Sequence, residues 1–377
     1  MRFDESFQLP LQHRVVFSSS LLDPANGVLR DVIAGSGSRR AIAFIDEGVE
    51  RTNPQGARAL AAWFDAQSRA GHALPDLCSV DVVPGGEAAK NDSVIVDQVI
   101  AATERHAIDR RSFVIAIGGG AMLDAVGLGA ALAHRGVRLV RIPTTTLAMD
   151  DAAMGVKNGI NRFGKKNFVG AFAVPWAVLC DDTYLTTLDS RHFRAGFSEA
   201  VKIACLRDPA LLGQMERDAS RIAARDIRAS MPTIIRCAQL HLEHITRGGD
   251  PFELREARPL DFGHWSAHKL ESMSDFTVPH GEAVSIGIAL DCAYARHVGL
   301  LSAPDAARIT DCLRALHLPT WHPLLEDIDA MTHGLEEFRE HLGGVLTITQ
   351  LTAIGASIDV HEMDADAIRA AVRSLAP

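Results

Sequence analysis

Through the first half of the chain, short apolar runs alternate with stretches of helical period. Residues 41–46 (AIAFID), 79–83 (SVDVV), 112–120 (SFVIAIGGG) and 137–143 (VRLVRIP) read as strands. Between them, GARALAAWFDAQSRA, NDSVIVDQVIAATERHA and AMLDAVGLGAALAHR read as helices. Strands alternating with helices predict a parallel sheet covered on both faces. Past about residue 190 the pattern changes. HFRAGFSEAVKIACL, SRIAARDIRASMPTIIRCAQLHLEHI, GHWSAHKLESM and GEAVSIGIALDCAYARHVG all have the apolar period of helices. Near the end, LTITQLTAIGASIDVHEM alternates like a small hairpin and DADAIRAAVRSLA reads as a last helix. The pattern predicts an α/β domain over 1–189 and a mainly α-helical domain over 190–377. No flexible linker, internal repeat or low-complexity segment interrupts it.

Composition narrows the class. The chain has 377 residues, 47% of them hydrophobic and 23% charged, enough to build a core and a charged surface. A net charge of −9, with no dense Lys/Arg tract, argues against a nucleic-acid partner. No apolar run has the length of a membrane span, and MRFDESFQLPLQHRVVFSS lacks the apolar stretch of a signal peptide. The six cysteines are scattered without a CxxC pair, which reads as reduced thiols in the cytoplasm. An anionic substrate would need a local cluster of cations in so acidic a chain.

Candidate chemistry gathers first at the strand ends. VIAIGGGAMLDAVG sets three glycines between a strand and a helix, where the backbone can approach a diphosphate and helix N–H groups are free. The spacing is not GxGxxG. Asp46 closes the first strong strand, where a carboxylate can accept ribose hydroxyls. PGGEAAK offers glycines with Glu87 and Lys90, and IPTTTLAMDD offers Thr144, Thr145 and Thr146. Open parallel sheets bind ligands at such strand ends, so a dinucleotide site is expected.

The second cluster is histidine-rich. DFGHWSAH puts His264 and His268 one helical turn apart, and VPHGEAV adds His280. A catalytic zinc takes three protein ligands, so a third ligand is expected from elsewhere. GFSEAVKIA offers Glu199 with Lys202 on the next turn of an otherwise apolar helix, a costly placement unless the pair has partners. HLEH (241–244) is not HExxH and reads as ordinary helix surface.

Taken in order, PGGEAAK, AIGGGAMLDAVG, HRGVRLVRIPTTTLAMDD, GVKNGIN, GKKNFVGAF, GFSEAVKIA, DFGHWSAH and HGEAV resemble the 3-dehydroquinate synthases and their sugar-phosphate cyclase relatives. Within that family the chain looks closest to the synthase-like proteins of ebo biosynthetic clusters. The resemblance implies a dehydroquinate synthase-like fold: an N-terminal Rossmann-like nucleotide-binding α/β domain, a helical metal- and substrate-binding domain, and a homodimer. It implies Glu199, His264 and His280 as ligands of Zn2+ or Co2+. NAD would be held by Asp46, Glu87, Lys90, Gly119, Gly120, Asp124, Thr144, Thr145, Lys166 and Thr187. The sugar phosphate would meet Asp151, Lys157, Asn167, Lys202 and His268, with Arg135 reaching the neighbouring subunit's site. The implied reaction oxidises a ring hydroxyl with NAD+, eliminates phosphate, returns the hydride and closes a carbocycle.

The sequence departs from 3-dehydroquinate synthase where that enzyme holds its substrate carboxylate. The arginine and asparagine positions carry Ala257 and Asp261, and the lysine position, counted back without gaps, falls on Glu243, with His244, Arg247 and Arg255 nearby. ARPLDFGH instead resembles cyclases that use sedoheptulose 7-phosphate, which has no carboxylate. His268 and HGEAV resemble 3-dehydroquinate synthase. The C-terminal phosphate-binding lysine is absent, and EFREHLGG offers Arg339 or His341. An aspartate would repel a substrate carboxylate, so the expected substrate is sedoheptulose 7-phosphate or a similar sugar phosphate. The alternatives are a true 3-dehydroquinate synthase, a net polyol or glycerol-phosphate dehydrogenase sharing the two-domain plan, and a non-catalytic scaffold. The basic strand pair GVKNGIN…GKKNFVGAF favours a cyclase over a dehydrogenase, and the Glu199/His264/His280 set argues against a scaffold.

Overall fold

Six apolar segments pair side by side into one sheet: β1 (Val15–Ser18), β2 (Arg40–Asp46), β3 (Asp76–Val83), β4 (Phe113–Gly118), β5 (Arg138–Pro143) and β8 (Ala177–Asp181). This computed structural model describes residues 1–6, 9–35, 37–52, 56–163, 165–248, 252, 259–341 and 344–376. The order across the sheet is β1-β8-β5-β4-β2-β3, and every pairing is parallel. β4 and β5 are buried along nearly their whole lengths, as expected of parallel strands covered on both faces. The chain steps from β2 outward to β3, then returns to lay β4 on the other side of β2. That reversal makes the C-terminal ends of β2 and β4 a topological switch point. β1, on one edge, and its inner neighbour β8 were not anticipated from the sequence; β2, β3, β4 and β5 were.

Between β5 and β8 the chain forms an antiparallel ribbon, β6 (Lys157–Arg162) with β7 (Lys165–Phe172). Arg141 on β5 is fully buried and ties the ribbon to the sheet. Its guanidinium donates to the Lys157 carbonyl at 3.0 Å and to Asn158 Oδ1 at 2.7 Å.

The chain divides into two compact units. The first takes Met1–Pro143 and Val156–Asp181, and holds the sheet, its helices and the ribbon. The second takes Thr144–Gly155 and Asp182–Pro377. Among the described residues it is helical apart from the antiparallel hairpin β9 (Ile348–Ala353) and β10 (Ala356–Val360). Its centre is the helix His280–His297, which packs on the helices Phe197–Arg207 and His264–Met273. Two expected helices break. The first divides at Gly196 into Ser190–Ala195 and Phe197–Arg207. The second divides at Arg225, which adopts a positive φ of 65°, and Asp226 then caps a new helix, Ile227–Arg247, by accepting the Ala229 N–H. All six cysteines are free thiols, five of them buried. Among the described residues no helix is long and apolar enough to cross a membrane.

Candidate active site

The first unit gathers polar groups at the switch point. Asp46 ends β2, and its carboxylate accepts the Gly48 N–H at 2.7 Å and a further N–H from Gly119. Burial raises its pKa against those hydrogen bonds. A Cβ on Gly85 would stand 2.2 Å from Asp46 Oδ1, so only glycine lets the two loops meet there. Gly119 caps the helix Gly120–Leu132, whose first-turn N–H groups lack intrahelical acceptors.

A second group forms where the ribbon meets the short helix Glu87–Lys90. Glu87 Oε1 accepts from Asn161 Nδ2 at 2.8 Å and lies 3.7 Å from Lys166 Nζ. Asn161 in turn accepts the backbone N–H of Asn167, held at a positive φ of 51°. Lys90 Nζ pairs with Asp124 at 2.6 Å, both largely covered. Lys157 opens β6 with an exposed side chain, and Arg135 is exposed on a turn with positive φ. The structure therefore brings Glu87, Lys166 and Asn167 together, pairs Lys90 with Asp124, and sets Asp46 against Gly119. In the second unit, Thr145 Oγ1 accepts the Ala148 N–H at 3.1 Å. Thr144 is buried, and Thr187 is exposed with its hydroxyl on the Tyr184 carbonyl. Thr146 is structural, donating to the Phe193 carbonyl at 2.8 Å.

The second unit gathers the metal-type side chains. Glu199 is buried in the first turn of Phe197–Arg207. His264 opens its helix directly after Gly263, which adopts φ 79° and whose Cβ would stand 2.9 Å from the Ile288 amide nitrogen. Asp291 accepts the Gly263 N–H at 2.9 Å and the Trp265 indole N–H at 2.8 Å, fixing that helix start. His264 Nε2 and His280 Nε2 each lie 3.4 Å from Glu199 Oε1. The opposite ring nitrogens are occupied. His264 Nδ1 is 3.0 Å from the Phe262 carbonyl and His280 Nδ1 is 3.3 Å from Glu271 Oε2. With Nδ1–H donating to an oxygen on each ring, both Nε2 lone pairs point at a carboxylate oxygen, an arrangement that a cation resolves. Atoms bound about 2.1 Å from one tetrahedral zinc stand about 3.4 Å apart, so this donor set fits such an ion. His268, Glu271 and His280 form a second grouping that shares His280, with the His268 and His280 rings stacked at 6.0 Å.

Around this cluster the charges are coupled. Lys202 Nζ is 2.5 Å from Glu199 Oε2 and 3.8 Å from Asp151 Oδ1. Burial disfavours charge on Glu199, but the Lys202 ammonium and His264 outweigh it and hold the carboxyl well below its usual range. Desolvation likewise opposes ionisation of Asp151, yet Lys202 and His241 bring its pKa down to about 2. Lys202, desolvated but facing Glu199 and Asp151, is raised, and Asp261 acts on it in the same sense. Asp150 is fully buried and neither carboxylate oxygen has a hydrogen-bond partner among the described residues. Burial and the neighbouring acids hold it well above the usual range.

Two residues of this cluster were missed in the sequence. His241 was read as helix surface, but its Nδ1 lies 2.9 Å from Asp151 Oδ1. Helical period explains the correction: His241 follows buried Cys237 by four residues and buried Ala238 by three, so it shares their face. Glu271 follows His268 by three on one helix, and that spacing was the available signal. Glu243 faces outward beside Gln239 and Arg247, and His244 meets Arg207. Arg339 pairs with Glu336 on its own helix. Ala257, Arg255, Arg258 and the His341 side chain lie outside the described residues.

Family models for the 3-dehydroquinate synthase N-terminal and C-terminal domains match residues 80–195 and 196–338. The chain is 31% identical to a 2-epi-5-epi-valiolone synthase of Streptomyces glaucescens, over 97% of this chain and 92% of that one. It is 34% identical to a 3-dehydroquinate synthase of Rhodopseudomonas palustris, over 90% of each. A solved 2-epi-5-epi-valiolone synthase from Streptomyces hygroscopicus, with NAD+ and Zn2+ bound, superposes with a TM-score of 0.88 at 32% identity, covering 99% of both chains. The chain belongs to the 3-dehydroquinate synthase family of sugar-phosphate cyclases.

Proposed function

We propose that the protein is an NAD- and divalent-metal-dependent cyclase. Its substrate would be a seven-carbon sugar phosphate without a carboxylate, of the sedoheptulose 7-phosphate type. The observation that carries this reading is the acidity around Lys202. Glu199, Asp151 and Asp261 all act on that one ammonium. A substrate carboxylate placed there would add another anion to this group of acids. The relatives named as 2-epi-5-epi-valiolone synthases support the same direction.

In this reading Glu199, His264 and His280 hold zinc or cobalt, and the residues at the ends of β2 and β4 hold NAD. Bound NAD+ would take and return a hydride while the metal lowers the pKa of the substrate hydroxyl. The chain's own residues orient and balance charge. Glu271 holds the His280 ring by Nδ1, so Nε2 keeps its lone pair. Lys202 neutralises Glu199 and Asp151 and would meet the substrate together with Asp151 and His268. Lys157 and Asn167 would receive the phosphate side. Arg135 would reach a partner's site in a cytoplasmic homodimer. On its sequence motifs the chain also resembles the synthase-like proteins of ebo biosynthetic clusters.

Incubation of the purified protein with NAD+, zinc or cobalt and sedoheptulose 7-phosphate tests it. The expected product has the substrate's mass less phosphoric acid and lacks the open-chain ketose signals by NMR. Unchanged substrate, or net oxidation with stoichiometric NADH, would overturn the reading in favour of another substrate or of a dehydrogenase.

A further inference from the structure

We propose that His241 is a positioning residue of this reaction, holding the Asp151 carboxylate in its working orientation. The inference rests on the function proposed above. His241 lies on the helix Ile227–Arg247, on the face that also buries Ile234, Cys237 and Ala238. Its side chain is 12% exposed, and an imidazole so placed costs stability unless it is paired. The pairing is with Asp151: Nδ1 and Oδ1 stand 2.9 Å apart, a hydrogen bond. Lys202, the other group acting on Asp151, is 3.8 Å from the same oxygen and is engaged with Glu199 at 2.5 Å.

These distances define a division of labour. Lys202 is bound closely to the metal-type carboxylate, and the imidazole sets where the Asp151 oxygen points. Asp151 lies on a single turn of π-helix, Ala148–Ala152, a local geometry frequent at functional sites. The same helix face reaches that turn a second time, through Cys237 Sγ, 3.5 Å from the Asp150 carbonyl. Without His241, Asp151 would keep Lys202 as its ion-pair partner among the described residues and would shift toward it, away from its present position. A displacement of about 1 Å at a group contacting substrate costs on the order of 100-fold in rate.

Two substitutions separate this role from packing. His241→Phe keeps the ring volume and removes the donor. His241→Asn places an amide N–H close to the position of Nδ1. The account expects H241F to lower kcat for phosphate release by about 10- to 100-fold. H241N should restore turnover to within a few-fold of wild type. Both should bind NAD+ and retain metal as wild type does, and thermal unfolding checks that both fold. The proposal is overturned if H241F turns over like wild type, or if H241N is as slow as H241F while the wild type is active. If the wild type itself releases no phosphate, the underlying function fails and this role falls with it.

Discussion

His280 faces two carboxylates at once: Nδ1 is 3.3 Å from Glu271 and Nε2 is 3.4 Å from Glu199. The first contact fixes the tautomer that the second requires of a metal ligand. Glu271 is buried and sits one turn beyond His268 on the helix that begins with His264. Glu271→Gln should keep the fold and weaken metal affinity by about 10- to 100-fold. Chelator competition read by metal content measures it, and unchanged affinity would mean that the ring is oriented by its packing alone.

Gly85 approaches Asp46 more closely than any side chain allows, with a Cβ placed 2.2 Å from the carboxylate. Gly85→Ala should displace the loop or the acid, at a cost of about 1–3 kcal/mol. NAD+ affinity should fall about 10-fold or more, with metal content unchanged, as titration calorimetry would show.

Much of this arrangement could be read from the sequence, for physical reasons that differ by element. The inner strands are continuous apolar runs because both sheet faces are covered, so β2, β4 and β5 stood out. β1 spans four half-buried residues and gives no such run. The helix breaks were lost because apolar period continues across them. Gly196 and the positive φ at Arg225 interrupt the backbone without interrupting the pattern. At the site, Glu199 was conspicuous as an acid on an apolar helix. His241 was not, because HLEH puts one histidine inward and another outward. Only the phase of the whole helix, set by Ile234, Cys237 and Ala238, tells them apart.

Asp291 supplies a pH dependence of stability. Burial, working against hydrogen bonds from Trp265 and Gly263, brings its pKa up to about 7. A carboxyl whose folded pKa lies above its unfolded value stabilises fully below the unfolded value. That contribution is lost as pH rises through the folded one. Stability should therefore decline from about pH 4 to about pH 7 through this group. Asp291→Asn should flatten that slope; because its NH2 would face one of the two N–H donors that the carboxylate accepts, it should also lower Tm at pH 4 by about 2 °C or more. Thermal melts across that range measure it, and an unchanged slope would assign the dependence to other groups.

Asp261 adds its charge to those acting on Lys202. Asp261→Asn removes one anion without changing shape. Discrimination between a carboxylated and an uncarboxylated heptulose phosphate should then shift about 10-fold toward the carboxylated one. The ratio of kcat/KM values reports it, and a constant ratio would remove Asp261 from substrate choice.

The most direct test of the central claim is phosphate release measured alongside NADH absorbance. The protein, NAD+ and zinc or cobalt would be offered sedoheptulose 7-phosphate and 3-deoxy-arabino-heptulosonate 7-phosphate in parallel. The account predicts phosphate from the first and not the second, with no NADH accumulating. Phosphate from the carboxylated sugar alone, or NADH rising in step with substrate loss, would contradict it.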